Sequence, residues 1–261
     1  MNRIHLFELE DQSWFPNPVR RGITDFLQFA ANLIDLYKNM IPVIVRLLHL
    51  SKEHRIVDLG SGGGGGIEKI YRHLKEEGLD IQIKLTDKFP NVSAMRSLSE
   101  KFPTNISHVS DSVDAREVPA DLKGVRTLFV AFHHFRPEDA KRILRDAAEH
   151  KAPIGIFEAT ERSFFNFIIK IFDPIAVMLA VPFIRPFSWS RIFFTYMIPL
   201  IPFSLMWDGM VSVLRTYSIR EMNELTSQVQ VEGYIWETGR LKPKKGPSLL
   251  YLIGYPAPAK S

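Results

Sequence analysis

The sequence contains no cysteine, which excludes disulfides, thiolate catalysis and cysteine-based zinc sites. It also lacks strong charge of one sign, since 33 Lys and Arg against 29 Asp and Glu leave a net charge of +4. That balance suits an anionic ligand or a membrane surface and is too weak to point to nucleic acid. Apart from one glycine run there is no low-complexity tract or internal repeat. The opening 1-MNRIHLFELEDQSWFPNP-18 lacks a charged-then-apolar secretory pattern, and its acids argue against a transit peptide. The expectation is a cytoplasmic protein, with peripheral contact at the inner face of a membrane left open. Hydrophobic residues at 46% and charged residues at 24% over 261 positions describe a folded chain with a sizeable core.

Residues 1–22, with Trp14, Pro16 and Pro18, read as an irregular lead-in. Over 24–50 apolar residues recur at helical spacing, and Pro42 divides the run into two helices. Short apolar runs then alternate with helical stretches. Strands are expected at 55–59, 81–86, 106–109, 125–132 and 154–157, and helices at 67–77, 92–101 and 137–150. Such alternation implies a parallel sheet covered by helices on both faces. A helix over 218–227 has Ser218 as cap and Glu221 three residues on. Runs at 233–238 and 249–255, joined by 240-RLKPKKGPS-248, suggest a closing antiparallel hairpin.

The stretch 56-IVDLGSGGGGGIEKI-70 sets five consecutive glycines between a predicted strand and a predicted helix. Ordering glycine costs more backbone entropy than ordering any other residue. A glycine turn at a helix start lets backbone N–H groups approach a ligand closely. Gly60, Gly62 and Gly65 satisfy G-x-G-x-x-G, and Asp87 follows Gly65 by 22 residues, so an NAD(P)-binding oxidoreductase is one reading. Asp58, two residues before Gly60, favours another. Its carboxylate would repel a pyrophosphate and attract an ammonium group. S-adenosylmethionine (SAM) carries an ammonium and a positive sulfonium and has no phosphate.

Here the chain resembles the class I SAM-dependent methyltransferases. The strand-loop 57-VDLGSGGG-64 is similar to their first motif, 84-KLTDKFP-90 to their second and 113-VDAREVP-119 to their third. The three acids stand 29 and 27 residues apart (58 to 87, 87 to 114). The resemblance covers roughly 25–160 and 218–256. It implies a Rossmann-like, seven-stranded, mostly parallel sheet with a C-terminal antiparallel hairpin, N-terminal helices and an insertion after strand five. It further implies that Gly60, Ser61 and Gly62 face the methionyl part of SAM and that Asp58 meets its amino group. Asp87 would hold the ribose, Lys88 and Phe89 would line the adenine cleft, and Asp114, followed by Ala115, would take the adenine amine. Asp111 competes with Asp114 for that role. The layout implied is a cap over 1–54 and a SAM-binding domain over 55–261.

Methyl transfer needs alignment, exclusion of water and, for some acceptors, removal of a proton. His133 and His134 follow the fourth strand, at the edge where open α/β sheets bind ligands. They are the candidates to act on the acceptor, His134 before His133, and the sequence offers no third ligand that would make them a metal site. Glu158, ending strand five, reads as a hydrogen-bonding partner. The stretches 207-WDGMVSVLRTYS-218 and 6-LFELEDQSWFP-16 resemble segments of a bacterial small-molecule branch of the same superfamily. Packing around an Arg–Asp pair and substrate binding explain them equally well.

Residues 163–207 hold 12 of the 30 aromatic residues within 45 positions. A membrane-spanning helix needs about 20 mostly apolar residues. The longest charge-free run here, 192–207, has 16 and contains Pro199 and Pro202, while Lys170 and Asp173 split the earlier apolar run. The insertion is therefore expected to cap the site, to lie in a membrane interface or to form a homodimer contact. The reading overall is methylation of a hydrophobic small molecule, probed first at oxygen. The alternatives are the NAD(P) oxidoreductase and a non-catalytic membrane-associated protein that keeps the fold.

Overall fold

The computed structural model describes residues 1–62, 64–242 and 248–258. Gly63 and positions 243–247 of the expected hairpin loop lie outside the described residues. Two helices, α1 (Asn17–Leu33) and α2 (Ile41–Ser51), precede the sheet. Strands and helices then alternate as β1 (Arg55–Leu59), α3 (Ile67–Glu76), β2 (Gln82–Thr86), α4 (Val92–Lys101) and β3 (Ile106–His108). The series continues with β4 (Val125–Phe129), α5 (Pro137–Glu149) and β5 (Ile154–Glu158). Four helices follow: α6 (Phe164–Ile169), α7 (Asp173–Ala180), α8 (Trp189–Ile192) and α9 (Leu200–Arg215). The chain closes with α10 (Ile219–Ser227), β6 (Tyr234–Leu241) and β7 (Leu249–Pro256).

The chain divides into two compact units, one built from 35–159 and 218–261, the other from 1–34 and 160–217. In the first, seven strands form one sheet in the order β3-β2-β1-β4-β5-β7-β6. β1 pairs in parallel with β2 and β4, while β7 runs antiparallel to β5 and β6. The expected seven-stranded Rossmann-like sheet with its closing hairpin is therefore present. The strand order reverses between β1 and β4, and ligands of open α/β sheets bind outside the carboxyl ends at such a point. In register, Asp58 lies beside Leu85 of β2 and Thr127 of β4. Ser218 caps α10 in a capping box with Glu221, as its spacing predicts.

The second unit packs Val19, Ile23 and Phe26 of α1 against Val177 of α7 and Ile201 and Leu205 of α9. Its 20-residue helical run Phe164–Phe183 contains an 18-residue window with a mean hydropathy of 1.9, of which only 11% is buried. By length and composition this run could cross a bilayer. Lys170 and Asp173 do not break it, as their charges would suggest, because they pair with each other at 3.5 Å one turn apart.

Three local readings need correction. The lead-in is not irregular up to residue 22, because α1 starts at Asn17 behind Pro16, with proline in its first turn where no N–H partner is needed. Pro42 does not break a helix but lies in the first turn of α2; the break falls at Asp35, in left-handed backbone at φ 48°. β4 stops at Phe129, since Val130 turns to φ 52°, and His133 and His134 lie on the 3-10 turn Phe132–His134.

Candidate cofactor site

The sequence IVDL of β1 buries Ile56, Val57 and Leu59 completely, and it carries Asp58 down with them. An ionised carboxylate loses its hydration there unless donors replace water. Ser61 donates its hydroxyl to Asp58 Oδ2 at 2.7 Å and Thr127 donates to Oδ1 at 2.9 Å. Burial outweighs these two donors, with the Asp87 charge adding to it, and pushes the Asp58 carboxyl up to about 7.

The turn after β1 is stapled to β2. Ser61 N–H donates to the Thr86 carbonyl at 2.9 Å, Thr86 N–H to Ser61 Oγ at 3.2 Å and Thr86 Oγ1 to the Asp58 carbonyl at 2.9 Å. Gly60 and Gly62 take φ values of 75° and 54°, backbone that side chains rarely adopt. A Cβ on Gly62 would meet no atom within 4 Å, so this backbone faces open space. A Cβ on Gly66 would instead lie 2.3 Å from Cζ of Tyr37. Thus Gly66 makes room for a tyrosine, while Gly62 leaves room for a ligand.

Asp87, just past β2, closes the far side. It accepts Gly62 N–H at Oδ2 and Phe89 N–H at Oδ1, each at 2.7 Å. Phe89 is 82% exposed beside it. The Val113 N–H donates to the Asp87 carbonyl at 2.9 Å, which brings the third acid loop alongside. Lys88 Nζ stands 3.0 Å from Asp114 and 5.9 Å from the Phe89 ring centre. Asp114 also accepts Arg116 Nε at 2.9 Å and Nη2 at 2.5 Å. That guanidinium, ahead of the Lys88 ammonium, holds the Asp114 carboxyl well below the usual carboxylate range. Arg116 reaches Asp139 at 2.8 Å as well. Ala115 is buried and Asp111 exposed.

Asp58, Ser61, Gly62 and Asp87 therefore meet in one hydrogen-bonded cluster with Gly60 on the turn between them, and Lys88, Phe89, Asp114 and Ala115 adjoin it. The sequence reading missed Arg116, although an arginine two residues after an acid is a visible signal, and it missed Tyr37, which nothing in its helical stretch distinguishes. His133 and His134 form a second cluster with the fully buried Glu158. Glu158 Oε1 accepts His133 N–H at 2.9 Å, and Oε2 accepts from Nδ1 at 2.8 Å. The two imidazoles lie 4.3 Å apart. The contact with Glu158 fixes the orientation of the His133 ring through Nδ1.

The two resembling stretches pair with each other inside the helical unit. Asp208 accepts the N–H groups of Leu9 at 2.6 Å and Glu10 at 3.1 Å, and Trp207 Nε1 donates to the Phe7 carbonyl at 3.1 Å. Arg215 pairs with Asp11 at 3.0 Å and Glu8 at 3.2 Å.

No protein-family model matches the sequence, and no curated protein matches it either. Solved structures do. The plantazolicin methyltransferase BpumL, in complex with SAH, superposes with a TM-score of 0.60 over 95% of this chain and 94% of its own, at 14% identity. The pyocyanin biosynthetic protein PhzM reaches 0.52 at 17% identity, covering 87% of this chain and 56% of its own. An O-methyltransferase from neocarzinostatin biosynthesis, in complex with SAM and 2-hydroxy-5-methyl naphthoic acid, also reaches 0.52 at 17%, covering 90% and 58%. The chain spans a little over half the length of these last two. With the glycine turn and its two acids at the switch point, the likeness is one of architecture: the chain has the fold of the class I SAM-dependent methyltransferases.

Proposed function

We propose that the chain transfers a methyl group from SAM to a hydrophobic small-molecule acceptor, at oxygen. One observation carries this reading: a buried carboxylate, Asp58, lies under a side-chain-free turn that faces open space at Gly62, with Asp87 across from it. These residues fit the donor. Asp58 would meet its ammonium, Asp87 its ribose hydroxyls, and Lys88 and Phe89 its adenine, with Asp114 taking the adenine amine. When bound, SAM supplies a methyl carbon activated by its sulfonium. The protein's own work is then to hold the acceptor in line, keep water out and accept the acceptor's proton. His134, or after it His133, is the group proposed to take that proton.

Titration calorimetry with SAM, S-adenosylhomocysteine, NAD and NADP tests the reading. Binding of the two sulfur ligands alone is expected. Binding of NAD or NADP with no response to either sulfur ligand would replace it with the oxidoreductase.

The apolar acceptor is favoured by the helical unit, where Phe164, Phe165, Phe172, Phe183 and Trp189 are exposed. The naphthoic acid held by the neocarzinostatin neighbour is of the same apolar, aromatic kind. The same surface supports peripheral contact with the inner face of a membrane, and burial of aromatics in the lipid interface would remove it from water. Flotation with anionic liposomes checks this. Protein that stays at the bottom of the gradient as a stable homodimer would assign the face to a second copy of the chain.

A further inference from the structure

One aromatic side chain bridges the turn that leaves β1. Tyr37 stands on the 3-10 turn Leu36–Met40, and its ring fills the space that a side chain at Gly66 would take, Oη lying 2.6 Å from that Cβ position. On its other side it meets Phe129 edge to face, at 6.3 Å and 86°, and Phe129 stacks on Phe157 at 5.3 Å. Gly66 leads into α3 and Phe129 ends β4, the strand beside β1. Tyr37 therefore lies between the far end of the turn that carries Gly60, Ser61 and Gly62 and the end of the neighbouring strand β4.

The phenol is pushed up by its burial and by the nearby Asp58 carboxylate, so it stays neutral. The electron-rich ring, against Gly66, borders the turn whose backbone faces open space at Gly62.

We propose that Tyr37 is a positioning residue for the charged end of the donor, its ring and hydroxyl favouring a sulfonium over a neutral thioether. This rests on the donor reading above. A cation beside an aromatic face gains enough to shift affinity by about 3- to 30-fold. The consequence is directional: the charged donor is held and the neutral product released.

The test is calorimetry of SAM and S-adenosylhomocysteine on wild type, Tyr37→Phe and Tyr37→Leu, with circular dichroism to confirm folding. In Tyr37→Leu, SAM affinity is expected to fall by about 3- to 30-fold while S-adenosylhomocysteine moves by less than about 2-fold. Tyr37→Phe keeps the ring and is expected to retain most of the preference. Equal weakening of both ligands in Tyr37→Leu, or no change in either, would overturn the proposal by reducing Tyr37 to packing. If wild type binds neither sulfur ligand, the donor reading itself fails and this one falls with it.

Discussion

Thr127 donates its hydroxyl to Asp58 Oδ1 at 2.9 Å, across the one β1–β4 register step at which those two residues are neighbours. The bond fixes which carboxylate oxygen is occupied from β4, while Ser61 occupies the other from the turn. Both donors favour the ionised form and burial opposes it, so the carboxyl is poised at about 7. A ligand ammonium pairs with the ionised form only. SAM affinity should therefore strengthen as pH rises from about 5.5 to 7.5, by up to about tenfold per unit below the poised value, and then level off. Asp58→Asn should weaken binding and flatten that profile. A wild-type affinity independent of pH over this range would separate Asp58 from the ligand.

Asp87 has two tasks in this geometry. Its carboxylate anchors the N–H groups of Gly62 and Phe89, and it is proposed to take the ribose. Charge-assisted bonds of this kind contribute about 1.5–3 kcal/mol each. Asp87→Ala should weaken SAM binding at least about tenfold, and Asp87→Asn, whose amide oxygen can still accept, should lose less. Calorimetry on both variants gives the answer, and an unchanged affinity in a folded Asp87→Ala protein would contradict the role.

The glycine run separates two effects that its sequence merges. At Gly66 an added methyl meets the Tyr37 ring, whereas at Gly62 it meets nothing and only the φ of 54° is unfavourable. Gly66→Ala should therefore lower folding stability by about 1–3 kcal/mol. Gly62→Ala should cost about 1–2 kcal/mol of backbone strain and should weaken SAM binding by more than its stability loss predicts. Urea unfolding paired with calorimetry distinguishes them; the prediction fails if both variants lose stability and affinity in the same proportion.

The alternation of apolar runs made the sheet legible, because a parallel strand buried on both faces writes its own continuous signature. The spacing of Asp58, Asp87 and Asp114 was legible for the same reason, since Asp58 lies near the end of β1, Asp87 directly follows β2 and Asp114 comes after β3. What could not be read was how far a strand continues: 128-LFVAF-132 is uniformly apolar, and only the turn at Val130 ends β4. Tyr37 was hidden because its partner is an absent side chain, and no sequence rule ties a tyrosine to a glycine at position 66. The strap between 6–11 and 207–215 was hidden because its acids bind backbone N–H groups and one arginine at long range.

That strap carries the last prediction. Glu10 sits among Asp208, Glu8 and Asp11, with Arg20 as the opposing cation. Burial first, then the Asp208 and Glu8 charges, push its carboxyl up to about 8. In the unfolded chain it titrates near the ordinary value of 4.5. The folded state thus keeps a proton that the unfolded state has released, so this group's cost is absent below about 4.5, grows as pH rises and is complete above about 8. Thermal midpoints should fall between pH 6 and pH 9 for wild type. Glu10→Gln keeps the backbone N–H that Asp208 accepts at 3.1 Å and removes the charge. It should flatten that fall and stabilise the protein at pH 9 by about 2 kcal/mol, a figure reduced from the full shift because the side chain is only partly shielded. Differential scanning calorimetry at the two pH values measures both. A wild-type midpoint that rises toward pH 9, or a Glu10→Gln variant less stable there, would mean that the Glu10 carboxylate finds a cation in the strap strong enough to reverse the balance.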